Sequence, residues 1–425
     1  MNLDRSSPLA VGPQAPAEVS TPERVLDAAA ALFWKKGYAA TTTREIAAAV
    51  GIQQASLYYH VPSKEGLLYQ LCKSSMEQLL ADVQSAVSCG SDPLDRLRAL
   101  IHAHLATLLK HQVRHVTMLT QLRSLSKRHH AEVIALREQY ASLVRSVIEE
   151  AQRGAAIRTD IPSKYLLFGL LNVLNRAVIW FRKDQGLTAN ELADLFAPIF
   201  LQGAMAGSAS HAMRLPDLDH GRRKSHAKTG KAALRGPTSQ RLLDAAAALF
   251  AKKGYGATST REIAAALGIQ KASLYYHIGN KEELLHGICT SALERIRSDV
   301  EAALANVRDP LERIAALICA HVESMLRDQE KHSVTMAEMH LLSPEQLAQV
   351  LVLRDSYEAL VRSVLEEGQR AGLIRQDIQV KYLRLYLLGL INRVVIWYRR
   401  GGPLSPRELG ELMAVIFLTG AAARP

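Results

Sequence analysis

Residues 41–60 read TTTREIAAAVGIQQASLYYH, and residues 258–277 read TSTREIAAALGIQKASLYYH. Seventeen of the twenty positions are identical at a constant offset of 217; the exceptions are Thr42/Ser259, Val50/Leu267 and Gln54/Lys271. A segment repeated this closely is one supersecondary unit used twice. Thr42 and Glu45 have capping-box spacing, as do Ser259 and Glu262, so a short Ala-rich helix is expected to open there. Gly51 and Gly268 end it, because glycine accepts the left-handed conformation past a helix terminus. A third short helix, Gln53–His60, follows at once. Two short helices about a glycine turn make a helix-turn-helix. Ala47, Ala48 and Ala49 are expected to let the two helices approach, with Ile46, Val50 and Leu57 buried against the preceding helix. Gln53, Gln54, Ser56, Tyr58, Tyr59 and His60 then face outward.

The repeat continues beyond this segment at the same offset. Arg137–Glu150 (REQYASLVRSVIEE) matches Arg354–Glu367 (RDSYEALVRSVLEE), and Asn175–Trp180 (NRAVIW) matches Asn392–Trp397 (NRVVIW). Each unit opens with an amphipathic helix; Val25, Ala29, Leu32 and Phe33 mark its apolar face in the first. Long amphipathic helices fill the rest. They break near Asp92-Pro93 and Asp309-Pro310, at Gly154 and Gly372, and around Gly186 and Gly401-Gly402. Ser63 and Asn280 stand where they would cap the fourth helix. No alternating strand pattern of any length occurs, so the fold class is all-α. The expected division is a disordered tail at 1–19, a first DNA-binding domain at 20–80 and a first helical body at 81–205. A basic linker at 206–235 follows, then a second DNA-binding domain at 236–297 and a second body at 298–423.

Composition narrows the function. Of 425 residues 48% are hydrophobic, which excludes a chain disordered throughout, and the net charge is +11. Residues 206–235 hold seven Lys/Arg against two Asp. That local excess suits a polyanion or a solvated tether. The four cysteines, Cys72, Cys89, Cys289 and Cys319, form no CxxC pair. Neither a disulfide framework nor a zinc finger is indicated. The first twenty residues carry Asp4, Arg5 and three prolines and do not read as a signal peptide. The most apolar stretch, Tyr165–Phe181, is interrupted by Asn172, Asn175 and Arg176 and is short for a bilayer span of ~20 residues. A cytoplasmic protein with no membrane association is expected.

The outward residues of the third helix are hydrogen-bonding groups. Glutamine can pair bidentately with adenine in a major groove. Adjacent exposed tyrosines suit phosphate contacts through their hydroxyls. Arg44 and Lys64 flank that helix and have the charge to bind phosphates. The pattern R-x-I-A-x-x-x-G-I-x-x-A-S-L-Y-Y-H-x-x-x-K-E occurs twice, each time after a helix ending Lys-Lys-Gly-Tyr. Double-stranded DNA is the expected partner.

Both units resemble the TetR family of bacterial transcriptional repressors over nearly the whole chain. The resemblance implies, for each of the two tandem units, an N-terminal three-helix DNA-binding head and a larger helical body for effector binding and dimerisation; the fusion itself departs from the family, most of whose members are single units. It places Thr43, Tyr58, His60 and Lys64, with Thr260, Tyr275, His277 and Lys281, at phosphate-contacting positions. Gln53, Gln54 and Ser56, with Gln270, Lys271 and Ser273, fall on the reading helix. Arg44, Tyr59, Arg261 and Tyr276 complete the expected DNA-binding set. Trp180-Phe181-Arg182 and Trp397-Tyr398-Arg399 are similar to a subgroup that senses acyl-CoA thioesters in fatty-acid and steroid catabolism; aromatic anchors of a dimer interface would read the same way. Family members dimerise through their last two helices, so the fused units are expected to pair within one chain. A helical ligand-binding or scaffold protein with non-functional heads is the alternative, and the near-identity of the two heads argues against it.

His104 and His115 are eleven residues apart, so they are expected to share one helical face. His321 and His332 repeat the spacing. These four, with Asn175 and Asn392, are the candidate effector-pocket residues; structural histidines would share the pattern. No carboxylate repeats with them, so no metal is assigned. His129-His130 has no counterpart in Gln346-Leu347 and reads as surface. No paired carboxylates, nucleophile elbow or phosphate loop recurs, so neither an enzymatic activity nor a cofactor is expected.

Overall fold

The computed structural model describes residues 21–60, 63–182, 186–203, 238–270 and 280–420. Expectations for the tail, the linker and residues 271–279 lie outside them. The chain divides into two compact units, one ending at Leu201 and one running from Gln202 to Gly420. No β-strand occurs among the described residues.

The first unit contains α1 (Thr21–Lys36), α2 (Thr43–Val50), α3 (Gln54–His60), α4 (Lys64–Ser88), α5 (Pro93–Lys110), α6 (Gln112–Gln121), α7 (Lys127–Arg153), α8 (Ser163–Trp180) and α9 (Ala189–Gln202). The described helices of the second are α10 (Thr238–Lys253), α11 (Thr260–Leu267), α12 (Lys281–Leu304), α13 (Pro310–Arg327), α14 (Gln329–Glu338), α15 (Pro344–Arg370), α16 (Val380–Asn392), α17 (Val394–Trp397) and α18 (Pro406–Thr419). Caps fall where the residue types call for them. Ser63 accepts from the Gly66 amide at 2.9 Å, and Asn280 from the Glu283 amide at 2.9 Å. Asp92 accepts from the Leu94 and Asp95 amides, with Pro93 opening α5 where its missing N–H costs nothing.

In the first body α4 packs against both α5 and α7, which also touch each other. Leu67, Leu68, Leu71, Met76, Leu79 and Val83 of α4 are buried, as are Leu97, Leu100 and Ile101 of α5 and Val133 and Val144 of α7. Each such side chain contributes roughly 1.5–3 kcal/mol of transfer free energy, so this three-helix contact anchors the body.

One expectation is corrected. One helix does not carry both histidines of a pair: α5 ends at Lys110, His111 leaves the helical region (φ −114°, ψ 42°), and α6 starts at Gln112. The Gln112 amide donates to the carbonyls of Val178 (2.8 Å) and Phe181 (2.9 Å) at the end of α8, tying the start of α6 there. Asp328 breaks the second body in the same way, with Gln329 donating to Val395 and Tyr398. The stop at Gly154 falls where expected, directly after Arg153. Gly154 has an ordinary φ of −79°, and the left-handed residue is Ala155 (φ 52°). Gly372 (φ 67°) occupies the matching place in the second unit.

Candidate nucleic-acid interface

The first head forms because its termini are capped from within. Thr42 accepts from the Glu45 amide, and the Glu45 carboxylate accepts from the Thr42 amide at 2.8 Å. Lys36 of α1 also donates to Glu45, and this contact, ahead of the Thr42 bonds, holds the carboxyl down to about 2. Gly51 adopts φ 76°, ψ 31° and donates to the carbonyls of Ala47 and Ala48, which makes the turn. Ser259, Glu262, Lys253 and Gly268 repeat the arrangement in the second head. Ile46, Val50 and Leu57 are buried as expected, but of the three alanines only Ala47 is; Ala48 and Ala49 are exposed.

Gln53 precedes α3 instead of opening it. Arg44, Gln53 and Ser56 are exposed, and Tyr58 is 45% exposed. Thr43, Gln54 and Lys64 are half-buried. Gln54 donates to the Thr43 hydroxyl at 3.0 Å, and the Tyr58 hydroxyl pairs with that same oxygen at 3.1 Å. Three expected contact residues thus form one polar cluster beside the N-terminus of α2. The side chains of Tyr59 and His60 lie outside the described residues. In the second head Arg261 and Gln270 are exposed and Thr260 is half-buried; Lys271, Ser273, Tyr275, Tyr276 and His277 lie outside the described residues.

Lys64, expected at a phosphate-contacting position, is engaged within its own head. Its ammonium donates to the carbonyls of Tyr38 (3.0 Å), Ala39 (3.4 Å) and Thr41 (2.9 Å) and sits 4.5 Å from the centre of the Tyr38 ring. Lys281 repeats this with Tyr255 and Thr258. Both lysines staple the loop after the first helix of their head.

The bodies bring the expected pocket residues together across helices. His104 Nδ1 and the Tyr140 hydroxyl lie 2.5 Å apart, both buried; His321 and Tyr357 repeat the pair at 2.6 Å. His115 and Asn175 lie close enough to His104 to act on its basicity, as His332 and Asn392 do on His321. Burial, the dominant cause, holds His104, His115 and His321 at about 3 and His332 at about 4, so all four are neutral imidazoles. His104 Nε2, His115 Nδ1, His321 Nε2 and His332 Nε2 have no hydrogen-bond partner among the described residues. Tyr140 and Tyr357 escaped the sequence reading although each sits inside a matched repeat segment, which was the available signal. No group of three His, Cys, Asp or Glu placed to hold a metal ion occurs among the described residues.

Head and body are joined by ion pairs that the sequence reading also missed. Arg114 of α6 meets Asp27 of α1 at 2.5 Å, and Lys331 of α14 meets Asp244 of α10 at 2.6 Å. His129 is not a plain surface residue. Its Nδ1 lies 2.8 Å from the Glu65 carboxylate at the start of α4, and its ring stacks on Tyr69.

A capped helix, a left-handed glycine and a second short helix with a polar outer face define a helix-turn-helix DNA-binding regulator. Residues 25–71 and 242–288 match the family of bacterial regulatory proteins described as tetR, and residues 90–204 and 307–421 match the tetracyclin repressor-like C-terminal domain. The chain belongs to the TetR family, as a tandem of two complete units, and is a transcriptional regulator and not an enzyme. It is 31% identical to the transcriptional repressor KstR2 of Rhodococcus jostii over 183 residues, which span 43% of this chain and 90% of the relative. Two solved structures are similar. The TetR family regulator PfmR from Thermus thermophilus has 33% identity, a TM-score of 0.40, and coverage of 42% of this chain and 98% of its own. The ketosteroid regulator KstR2 of Mycobacterium tuberculosis has 26% identity, a TM-score of 0.41, and coverage of 44% and 96%. Less than half of this chain accounts for nearly all of each relative. No helix among the described residues is long and apolar enough to cross a membrane.

Proposed function

We propose that the chain is an effector-released repressor whose two units act as a pseudo-dimer within one polypeptide on an inverted-repeat operator. One observation carries the reading: each capped head is followed by a body whose core keeps neutral, incompletely bonded imidazoles. Buried polar groups left unpaired cost free energy, and a ligand that bonds to them recovers it. His104, His115 and Asn175, with Tyr140, are the ligand-facing groups of the first body; His321, His332, Asn392 and Tyr357 are those of the second. The similarity of the segments around Trp180 and Trp397 to acyl-thioester sensors favours a lipid or steroid catabolite as effector.

On the DNA side, Gln53, Ser56 and Gln270 address base edges. The Thr43, Gln54 and Tyr58 cluster addresses phosphate, with Arg44 and Arg261 beside it. Helix α6 carries both Arg114, paired to the head, and His115 in the core, so ligand binding there biases the head through one rigid element. An effector shifts the population only if it binds the DNA-incompetent state better. The domain division at residues 80, 205, 235 and 297 follows the same logic of head, body and tether. The tether's basic residues add salt-sensitive affinity through counterion release.

Gel shifts on the DNA upstream of the chain's own gene, combined with light scattering of the complex, test the proposal. One chain per operator with two similar arms is expected. A complex that needs two chains per operator, each using one head, would overturn the pseudo-dimer.

A further inference from the structure

The two bodies differ in how they treat one half-buried cation. Arg354 on α15 is neutralised: it bonds Asp355 at 2.9 Å and lies 3.7 Å from Glu358, which also bonds Arg384. Its counterpart in the first unit is Arg137 on α7. The residues matching Asp355, Glu358 and Arg384 are Glu138, Ala141 and Leu167. Glu138 is exposed and forms no ion pair with Arg137, and Arg137 has neither a hydrogen bond nor a salt bridge among the described residues. It is half-buried against Cys72 of α4. That thiol cannot compensate it, because burial pushes Cys72 up to about 12 and keeps it neutral.

A second, independent difference lies beside the first. Ser75 is one turn beyond Cys72 on the same side of α4. It is 5% exposed, and its hydroxyl has no hydrogen-bond partner among the described residues. The second unit has Ala292 at that position. The first body therefore keeps an uncompensated guanidinium and an unbonded hydroxyl on facing helices, where the second has a closed ion network and a methyl group. Around them are the apolar side chains of α4, α5 and α7. Arginine presents planar paired donors that match carboxylate and phosphate oxygens.

We propose that the α4–α5–α7 core of the first unit binds an amphiphilic small molecule by its anionic head group, a carboxylate or phosphate monoester held by Arg137 and Ser75. The second unit lacks this site. The inference rests on reading the body as effector-binding and specifies the ligand's charge and which unit takes it.

Isothermal titration of the full chain, without DNA, with decanoate, decyl phosphate and decanol tests it. One site per chain is expected, with an anion preferred over the alcohol by about tenfold or more, the worth of a charged hydrogen bond. The tighter of the two anions identifies the head group. Arg137→Gln should erase the preference while raising the melting temperature of the ligand-free protein, because an unpaired charge is removed. Ala141→Glu supplies the carboxylate that Glu358 supplies to Arg354, and should erase the preference with Arg137 still present. Two equal sites per chain, no preference for either anion, or a preference that survives both substitutions would overturn the proposal. Operator release is scored separately. Anions that bind once per chain without releasing DNA leave the site standing and remove its role as effector site. Another ligand that releases DNA equally from the parent and from Arg137→Gln leaves the regulator standing and sinks this inference.

Discussion

Replacing Lys64 with Met separates two physical roles for one charge. Methionine keeps the apolar stem and removes the ammonium. The structure gives that ammonium two short bonds, to the carbonyls of Tyr38 and Thr41, a longer one to Ala39, and a cation–π contact 4.5 Å from the Tyr38 ring. Charged hydrogen bonds contribute about 1.5–3 kcal/mol each when buried, and an exposed cation–π contact about 0.5–1. Lys64 is half-buried, so solvent discounts the sum, and a loss of about 2 kcal/mol in the stability of the head is expected. The loop from Gly37 to Thr42 should exchange its amide hydrogens faster. DNA affinity should fall because the reading helix is less well held, but the dependence of log K on log salt should keep its slope. Lys281→Met repeats the experiment in the second head, where the same staple occurs. Chemical denaturation and anisotropy titrations at several salt concentrations provide the two readouts. A slope that shrinks by about 0.9 per substituted lysine, the signature of a lost phosphate contact, with stability unchanged would refute the reasoning.

Tyr140→Phe should destabilise the first body by about 1–3 kcal/mol by orphaning His104 Nδ1; Tyr357→Phe should do the same in the second, and denaturation midpoints within error of the parent would contradict this. Ala155→Gly should raise stability by about 0.5–1 kcal/mol, since the left-handed φ of 52° strains alanine and the second unit already has Gly372 there; a lower melting temperature would show that the conformation is unstrained. The four core histidines have folded values of about 3 or 4, below the usual 6.5. The unfolded chain therefore binds more protons in acid. Their contribution is fully present above pH 6.5 and is lost as pH falls toward 4, with a slope approaching about 5 kcal/mol per pH unit for four protons. A melting temperature flat from pH 6.5 to 4.5 would exclude this.

The sequence determined the elements whose signals are local. Capping boxes at Thr42 and Ser259, the stops at Gly51 and Gly268, and the caps at Ser63 and Asn280 were legible because each depends on residues within one turn. The duplication was legible because it is a statement about residue identity alone. Tertiary structure decided what each charge and buried polar group does. Lys64 meets carbonyls 23 to 26 residues away, and the Gln112 amide meets α8 66 to 69 residues on, which sets the break that sequence spacing alone had read as one continuous helix. His104 and His115 belong together as expected, but by packing of α5 on α6 and not by a shared helical face. Arg137 and Arg354 are the same residue at matched positions, and one local difference separates them: Glu358 lies one turn beyond Arg354, where Ala141 lies one turn beyond Arg137. Tertiary packing decides the rest of each surrounding, bringing Arg384 to Glu358 and Cys72 to Arg137, and burial then makes the difference energetically large.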